Sequence, residues 1–475
     1  PDWLTEPGSR GVPAPRPAGV AFALRGLNAG QTAAFHRLAS LVFKDRPGRA
    51  PVLPVAVRLA PARAPAELKG VSGPLRAESY ELVLKASGAV LTAGCFQGFY
   101  GGLQTLRQLL ENSERLGPIP ACRIVDWPRL ARRGLHYDMA REMEYRPEHL
   151  MRVLENMAYF KMNTLHLYLE NRFGYASAPA VVPPGVITPG QARALCDYGR
   201  ALGITVIPQI PTLGHMEHFL TGPYRPLRES PVLPDNLCPS HPQARPFLAG
   251  LIADVASAFR PPYIHIGYDE SRSGFCGRCR RRGTPPQLLA RHLNWLQGEV
   301  GRHGARAMIY GDMFLPPSRF PRTDAANGGT EAEASAALRR VSRDIIITDW
   351  HYTAPYGGTV RYFVENGFEV HAVTAAPVGA LRVNRGHHWI VAGTDRAATE
   401  GALGAFNSNW EFHRGQFFDN FWFFQGLAAE RQWTDRPHDY LAYGGRFSSR
   451  FWGVDRDYYS SLGSLLETIP DQGRP

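Results

Sequence analysis

Lysine is almost missing from this chain: of its 53 basic residues, only Lys44, Lys69, Lys85 and Lys161 are lysines. The arginines are spread along the whole length and are accompanied by 48 glycines and 40 prolines, a composition that reads as codon bias in a GC-rich genome. The formal net charge of +11 is therefore not gathered into the cationic patch that nucleic-acid binding by counterion release requires. The one dense basic stretch, Arg278 to Arg282, reads as a solvated loop. Cysteine is scarce as well. Six residues (Cys95, Cys122, Cys196, Cys238, Cys276 and Cys279) are too few to scaffold 475 residues with disulfides. No apolar run reaches the roughly 18 residues of a membrane-spanning helix, so no membrane partner is expected. The chain opens at Pro1 without a methionine, and no basic segment leads into an apolar stretch. Any targeting peptide is expected to have been removed or never to have existed, which leaves the compartment open. What is present, 44% hydrophobic and 20% charged residues, excludes collagen, coiled coil and wholesale disorder.

The length suggests two or three domains, or one large barrel with an attachment. Residues 1 to 125 hold short alternating stretches, Val52 to Leu59 and Tyr80 to Ala86, between Pro/Gly-rich turns. A helix is predicted over Tyr100 to Leu110, where Leu103, Leu106, Leu109 and Leu110 recur at helical spacing. This reads as a small α/β sheet domain. From residue 126 to 475 the pattern changes to short apolar strands alternating with longer amphipathic helices, the signature of repeated β-α units. Eight strands are predicted: Gly134 to Met139, Thr164 to Leu169, Thr205 to Ile210, Tyr263 to Ile266, Ala307 to Tyr310, Ile345 to Thr348, Glu369 to Thr374 and Leu403 to Asn407. Helices are predicted between them over Pro147 to Phe160, Pro189 to Leu202, Ala244 to Phe259 and Pro286 to Val300, and a last one near Phe417 to Arg431. Eight units make a (β/α)8 TIM barrel.

Barrel enzymes place their chemistry on loops at the carboxyl ends of the strands. Those ends carry Asp138 with Arg141, Tyr168 with Glu170, Gln209 with His215, Asp269 with Glu270, Asp312, Asp349 with Trp350, and Trp410 with Glu411. The seventh strand is the exception and ends in Thr374-Ala375-Ala376-Pro377. The sharpest feature is Tyr263-Ile264-His265-Ile266-Gly267-Tyr268-Asp269-Glu270, an apolar strand running into two adjacent acids. Neighbouring acids that leave a strand point in different directions. One can face a reacting bond while the other addresses another part of the ligand, and two carboxylates in one pocket are driven to ionise at different pH. The alternative is that they cap the following loop. Cys276 and Cys279 have the spacing of half a zinc site, but no second pair or His-x-x-x-His follows. A loop-stabilising or incidental pair is expected, with no metal and no organic cofactor.

The fragment around the acids resembles glycoside hydrolase family 20, the β-N-acetylhexosaminidases. His265, Gly267, Asp269 and Glu270 match the family's His-x-Gly-x-Asp-Glu. Asp126-Trp127-Pro128-Arg129 through Arg133-Gly134-Leu135, Asp138 and Arg141 resemble its opening strand. Lys161, Asn163 and His166 meet its Lys-x-Asn-x-x-His, and Gly101-Gly102-Leu103-Gln104-Thr105-Leu106 resembles the segment before its barrel. The match runs from about residue 78 to the end and is densest between Asp126 and Glu270. It implies a substrate-assisted retaining mechanism, a recognised exception to the two-carboxylate scheme. By this resemblance Glu270 protonates the leaving oxygen and later takes a proton from water, while Asp269 stays ionised and holds the acetamido N–H. Arg141 grips sugar hydroxyls, with a salt bridge to Asp138 or Glu170 as the alternative. Trp350 and Trp410 wall the acetamide methyl and the sugar face. Glu411 accepts from the 4- and 6-hydroxyls, although the family usually leaves one residue between the tryptophan and this acid. Tyr352 orients the acetamide oxygen, with Tyr310 as competitor.

The chain also departs from the pattern. Where the family has Pro-Glu-x-Asp-x-Pro-Gly-His, it reads Pro208-Gln209-Ile210-Pro211-Thr212-Leu213-Gly214-His215. Both acids are gone, and His215 is left either to support Glu270 or to serve structure alone. The usual His-x-His-x-x-Asp becomes His166-Leu167-Tyr168-Leu169-Glu170, with its acid shifted, and the seventh strand lacks the usual tyrosine and aspartate. The expectation is a divergent, exo-acting member that removes terminal β-linked GlcNAc or GalNAc from a glycan. A degenerate barrel that binds amino sugars without cleaving them is the alternative, and the intact Asp269-Glu270 pair argues against it. A glycosidase with a carboxylate nucleophile would be revealed by a covalent glycosyl-enzyme, and nucleic-acid binding ranks last.

Overall fold

The computed structural model describes residues 19–44, 52–61, 65–116, 119–140, 146–323, 325–352, 357–375, 383–410 and 422–452. The first unit is a five-stranded sheet of β1 (Gly19–Arg25), β2 (Val52–Leu59), β3 (Tyr80–Lys85), β4 (Gly88–Ala93) and β5 (Cys122–Asp126). Their spatial order is β1-β2-β4-β3-β5, with β3 antiparallel to both of its neighbours. Alternation decides which face is covered: Leu53, Val55, Val57, Leu82, Leu84 and Leu91 are buried against the helices Ala29–Val42 and Gly98–Leu116. The first of these helices starts on a reciprocal cap between Asn28 and Gln31, which satisfies two backbone donors that would otherwise be orphaned.

The second unit is a closed barrel of eight parallel strands: β6 (Arg132–Asp138), β7 (Thr164–Tyr168), β8 (Thr205–Gln209), β11 (Tyr263–His265), β12 (Arg306–Tyr310), β13 (Ile346–Trp350), β14 (Glu369–Ala375) and β15 (Gly404–Asn409). The barrel closes where β15 pairs with β6, Gly404 opposite Arg132 and Asn409 opposite Tyr137. Each predicted strand lies within two residues of an observed one. The expected α/β sheet domain and TIM barrel are the observed architecture. The predicted start of the last helix falls partly outside the described residues, and the observed helix covers Trp422–Trp433. No sequence pattern marks the short excursion after β8, the antiparallel pair β9 (Arg228–Ser230) and β10 (Leu233–Leu237). Among the described residues no helix is long and apolar enough to cross a membrane.

The units are joined by a buried polar cluster. Lys161 Nζ donates to Asp126 Oδ2 and to the Tyr80 hydroxyl, both at 2.8 Å, and lies 4.4 Å from the Trp433 ring centroid. Tyr80 and the Trp433 indole N–H also donate to Asp126. Burial alone would push the Asp126 carboxyl up, but the ammonium beside it and these donors hold it below its ordinary value. Asn163 ties Arg133 N–H to the Ala131 carbonyl and to Glu78. The lysine and asparagine of the Lys-x-Asn-x-x-His pattern therefore join sheet to barrel rather than reach a ligand. Removing one partner strands the other charge in the interior. Lys161→Met should cost about 3–5 kcal/mol, read as a fall in the urea midpoint, and Lys161→Met/Asp126→Leu together should cost less than Lys161→Met alone.

Candidate active site

The barrel strand β11 delivers the paired acids. His265 is fully buried, and burial pushes its imidazole down to about 3, so it is neutral. Its Nε2 lies 2.7 Å from Thr348 Oγ1, whose own hydroxyl donates to the Ile309 carbonyl, and its Nδ1 accepts the Gly267 N–H at 3.1 Å. That network assigns the proton to Nε2 and explains the spacing of histidine and glycine: the ring pulls in the backbone two residues on. Gly267 then takes φ +66°, Tyr268 +88° and Glu270 +47°, so the chain turns sharply out of the strand. Six described non-glycine residues have positive φ, and four of them, Glu170, His215, Tyr268 and Glu270, follow strands β7, β8 and β11 at the barrel mouth. Each such residue costs on the order of 1–2 kcal/mol, so the surrounding packing must impose the conformation. Part of it comes from Gly214, where a Cβ would meet the Asp269 carbonyl oxygen at 2.5 Å. Only glycine there lets the β8 loop close over the acids.

That closure brings His215 to both carboxylates. Its Nε2 is 3.3 Å from Asp269 Oδ2 and 3.3 Å from Glu270 Oε2. The Asp269 charge, reinforced by Glu270 and opposed by burial, raises the imidazole to about 11, so it is a cation at neutral pH. Burial would push Asp269 up, but the His215 charge and hydrogen bond outweigh it and hold the carboxyl below its ordinary value. The two acids differ in access: the Asp269 side chain is 15% exposed and that of Glu270 is 50% exposed.

A third acid supports the pair from below. Asp312, fully buried after β12, accepts the Glu270 N–H at 3.0 Å and the Asn327 amide at 2.8 Å on Oδ2, and the Trp350 indole N–H at 3.3 Å on Oδ1. Burial, together with the charge of Asp269, raises it to about 7. The sequence marked Asp312 only as a strand-end acid, and its strand-end position was the available signal for this bridging role. Trp350 and Tyr352 have ring centroids 4.9 Å apart. The Trp410 indole N–H donates to the Tyr352 hydroxyl at 3.0 Å, and its ring lies 4.3 Å from that of His136. The ends of β13 and β15 are thus linked by a continuous aromatic wall. Tyr310 lies deeper, 3% exposed, with its hydroxyl accepting from Gln209 Nε2 at 3.0 Å. Glu170 is buried and bonded to the Tyr168 hydroxyl at 2.7 Å and to His218 Nδ1. His218 is a contact that no sequence pattern pointed to. Asp349 accepts from Thr359 at 2.6 Å and holds its own loop. Arg141 and Glu411, expected to bind sugar hydroxyls, lie outside the described residues, as do residues 376–382 that follow the seventh strand.

Comparison with known proteins gives this geometry a family. The pattern of glycosyl hydrolase family 20, catalytic domain, matches residues 131–282, and that of the family's domain 2 matches residues 23–127. The chain belongs to glycosyl hydrolase family 20. The catalytic match runs from the first barrel strand through the loop after Asp269 and Glu270. It ends before β12, so Tyr310, Trp350, Tyr352 and Trp410 lie in the half it does not reach. A β-N-acetylhexosaminidase of Cellulomonas fimi is 30% identical over 255 residues, 48% of this chain and 51% of that one. Subunit beta of human β-hexosaminidase is 31% identical over 215 residues, 41% and 38% of the two chains. The chain thus spans about half or less of the length of the curated relatives it matches. Among solved structures, a β-N-acetylhexosaminidase from Bacteroides fragilis aligns with a TM-score of 0.70 at 18% identity, covering 92% of this chain and 91% of that one. A mutant Streptomyces plicatus β-hexosaminidase in complex with GlcNAc aligns at 0.68 and 19%, covering 94% and 93%. At these identities the structural likeness speaks for the fold of this family 20 chain.

Proposed function

We propose that this family 20 chain is an exo-acting β-N-acetylhexosaminidase that hydrolyses terminal β-linked GlcNAc or GalNAc by a substrate-assisted retaining mechanism. One observation carries the reading: a single imidazole nitrogen sits 3.3 Å from each of two adjacent carboxylates at the barrel mouth, one sheltered and one open. Consecutive residues gripped by one cation occupy the same side of the pocket, so they are badly placed to flank a glycosidic bond as acid and nucleophile. The other acids nearby are already engaged, Asp312 with three N–H donors and Glu170 with Tyr168 and His218. The substrate's own 2-acetamido oxygen then serves as nucleophile. It attacks the anomeric carbon as the glycosidic C–O bond breaks, and Glu270, at the open position, gives its proton to the leaving oxygen. Water next adds to the anomeric carbon as its bond to the acetamide oxygen breaks, which regenerates the acetamide, and the water gives its proton to Glu270. Asp269, kept ionised by His215, accepts the acetamido N–H and stabilises the positive charge that develops. Tyr352, the more exposed of the two candidate tyrosines, is assigned to the acetamide oxygen, and Trp350 and Trp410 to the apolar faces of the sugar.

The test is release of nitrophenol from paired aryl β-GlcNAc and β-GalNAc substrates, with and without a thiazoline analogue of the intermediate. Turnover blocked by the thiazoline is the expected result, and the rate ratio reports sugar preference. Turnover with a trapped glycosyl-enzyme would overturn it. His215 supplies a further prediction. With its cation gone, Asp269 is protonated at higher pH, so His215→Gln should lower kcat/KM by about 10- to 100-fold and move the acidic limb of the pH–rate profile upward. Because the folded imidazole is raised above its unfolded value of roughly 6.5, its contribution to stability is complete below that pH and lost towards about 11. The stability advantage of the wild type over His215→Gln should therefore shrink as the pH rises through that window, as denaturation at pH 7 and pH 10 would show.

A further inference from the structure

No second ligand pair follows Cys276 and Cys279 in the sequence. The fold instead brings in two single residues from upstream, both carried by the excursion between β8 and the helix Ala244–Phe259. Cys238 follows β10 directly, and Glu229 lies within β9. Cys238 Sγ is 3.6 Å from Cys276 Sγ and 3.6 Å from Cys279 Sγ, and Cys279 Sγ is 3.6 Å from Glu229 Oε2. One donor atom from each of the four residues lies within 4.8 Å of all the others.

These lengths have a meaning. A tetrahedral ion with bonds of about 2.3 Å to sulfur and about 2.0 Å to oxygen separates neighbouring ligand atoms by about 3.5–3.8 Å. A disulfide would bring two sulfurs to about 2.05 Å and leave the third thiol over. Glu229 is oriented for ligation: its Oε1 accepts the N–H groups of Gly274, Phe275 and Cys276 at 3.1, 2.7 and 2.6 Å, which turns Oε2 towards the sulfurs. The carboxylate is 6% exposed, and among the described residues no lysine or arginine forms an ion pair with it. The three N–H donors satisfy Oε1, while Oε2 is left facing the thiols, where a cation would offset its desolvation. Leu288 packs against the sulfurs from the protein side. Arg278 and Arg280 to Arg282, in the same segment, offset the net negative charge of three thiolates and a carboxylate around a divalent ion.

We propose that Glu229, Cys238, Cys276 and Cys279 form a structural zinc site. Soft thiolates select zinc over the hard cations, and four protein ligands close the coordination shell, the mark of a structural rather than a catalytic site. The thiols bind as thiolates and release their protons to solvent as the ion enters. The ion cross-links the β9–β10 excursion to the segment leaving β11, with Cys276 six residues beyond Glu270. The proposed site stands in place of the loop-stabilising or incidental cysteine pair, without metal, expected from the sequence.

The experiment is metal analysis of the full chain purified without added metal, followed by stripping with a mercurial in the presence of chelator and refilling with zinc alone. About one zinc per chain is expected, released as thiols are titrated, and its loss should lower the unfolding midpoint by about 5 °C or more. Cys279→Ser should retain less than about a tenth of the zinc, whereas Cys95→Ser, at an exposed cysteine outside the cluster, should retain all of it. If Cys279→Ser does not fold, cobalt substitution of the wild type still decides. An intense thiolate-to-cobalt charge-transfer band, weakened and shifted in Glu229→Gln, supports the site. A chain that carries no zinc and whose unfolding midpoint does not respond to added zinc overturns the proposal, as does a disulfide among the three cysteines in peptide mapping. None of these readouts depends on glycoside turnover.

Discussion

Glu270→Gln is expected to lower kcat on a natural glycoside by about 1,000-fold or more, with KM unchanged or reduced. Positioned general acids contribute roughly 10²–10⁴, and a sugar leaving group cannot depart without a proton. Glutamine keeps the shape of the side chain and the backbone N–H that Asp312 holds, so the pocket still binds. The dependence on leaving group is the sharper check. A dinitrophenolate leaves without help, so the first step should be nearly unimpaired and the loss should move to hydrolysis of the intermediate, where Glu270 is proposed to act as base. Undiminished turnover of a natural substrate would remove Glu270 from the role of acid.

Asp269→Asn should reduce kcat/KM by about 10²–10³, the scale on which preorganised electrostatic stabilisation acts. A neutral amide cannot oppose the positive charge proposed to develop on the oxazolinium ring, and with NH2 in place of one oxygen it cannot accept from His215 on one side and from the acetamido N–H on the other. Affinity for the thiazoline, which mimics the intermediate, should fall by a similar factor, whereas affinity for the product sugar should change little, because only the former tracks the transition state. The same substitution removes the largest influence raising His215, so the imidazole should titrate at lower pH, visible by NMR. An unchanged rate with N-acetyl substrates would exclude the assignment.

The barrel was legible because its strands are short, apolar and flanked by helices whose buried faces repeat at helical spacing, such as Leu150, Val153, Leu154 and Met157. The paired acids were legible because an apolar strand running into Asp269 and Glu270 is locally improbable without a use. Contacts that arise from closure of the fold were not. His215 stood as either structural or functional until the chain showed Gly214 letting its loop down onto Asp269. Asp312 is one strand-end acid among several in the sequence, and only the fold makes its two oxygens join Glu270 to Trp350. Glu170 is one alternative partner for Arg141 in the sequence, and in the structure its described side-chain partners are the Tyr168 hydroxyl and His218, the latter 48 residues on. Glu229 and Cys238 carry no signal of their own, because each is a single residue 38 to 50 positions from its partners. Two of the departures from the family pattern fall at β7 and β8. There Gln209 and Tyr310 bond to each other, so the amide in place of the usual acid is satisfied within the barrel.

The pairing of β15 with β6 also dictates how the chain can be made. These strands lie about 270 residues apart, and at roughly 5–20 residues per second a ribosome takes on the order of 15–50 s to bring the last strand out after the first. Through that interval the N-terminal sheet can fold, with β6, β7 and β8 laid against it through Lys161 and Asp126, but the free side of β6 has no partner. An unpaired apolar strand edge is a template for the wrong neighbour. Chains truncated before Gly404 should accumulate as aggregates or chaperone complexes rather than as a smaller soluble barrel.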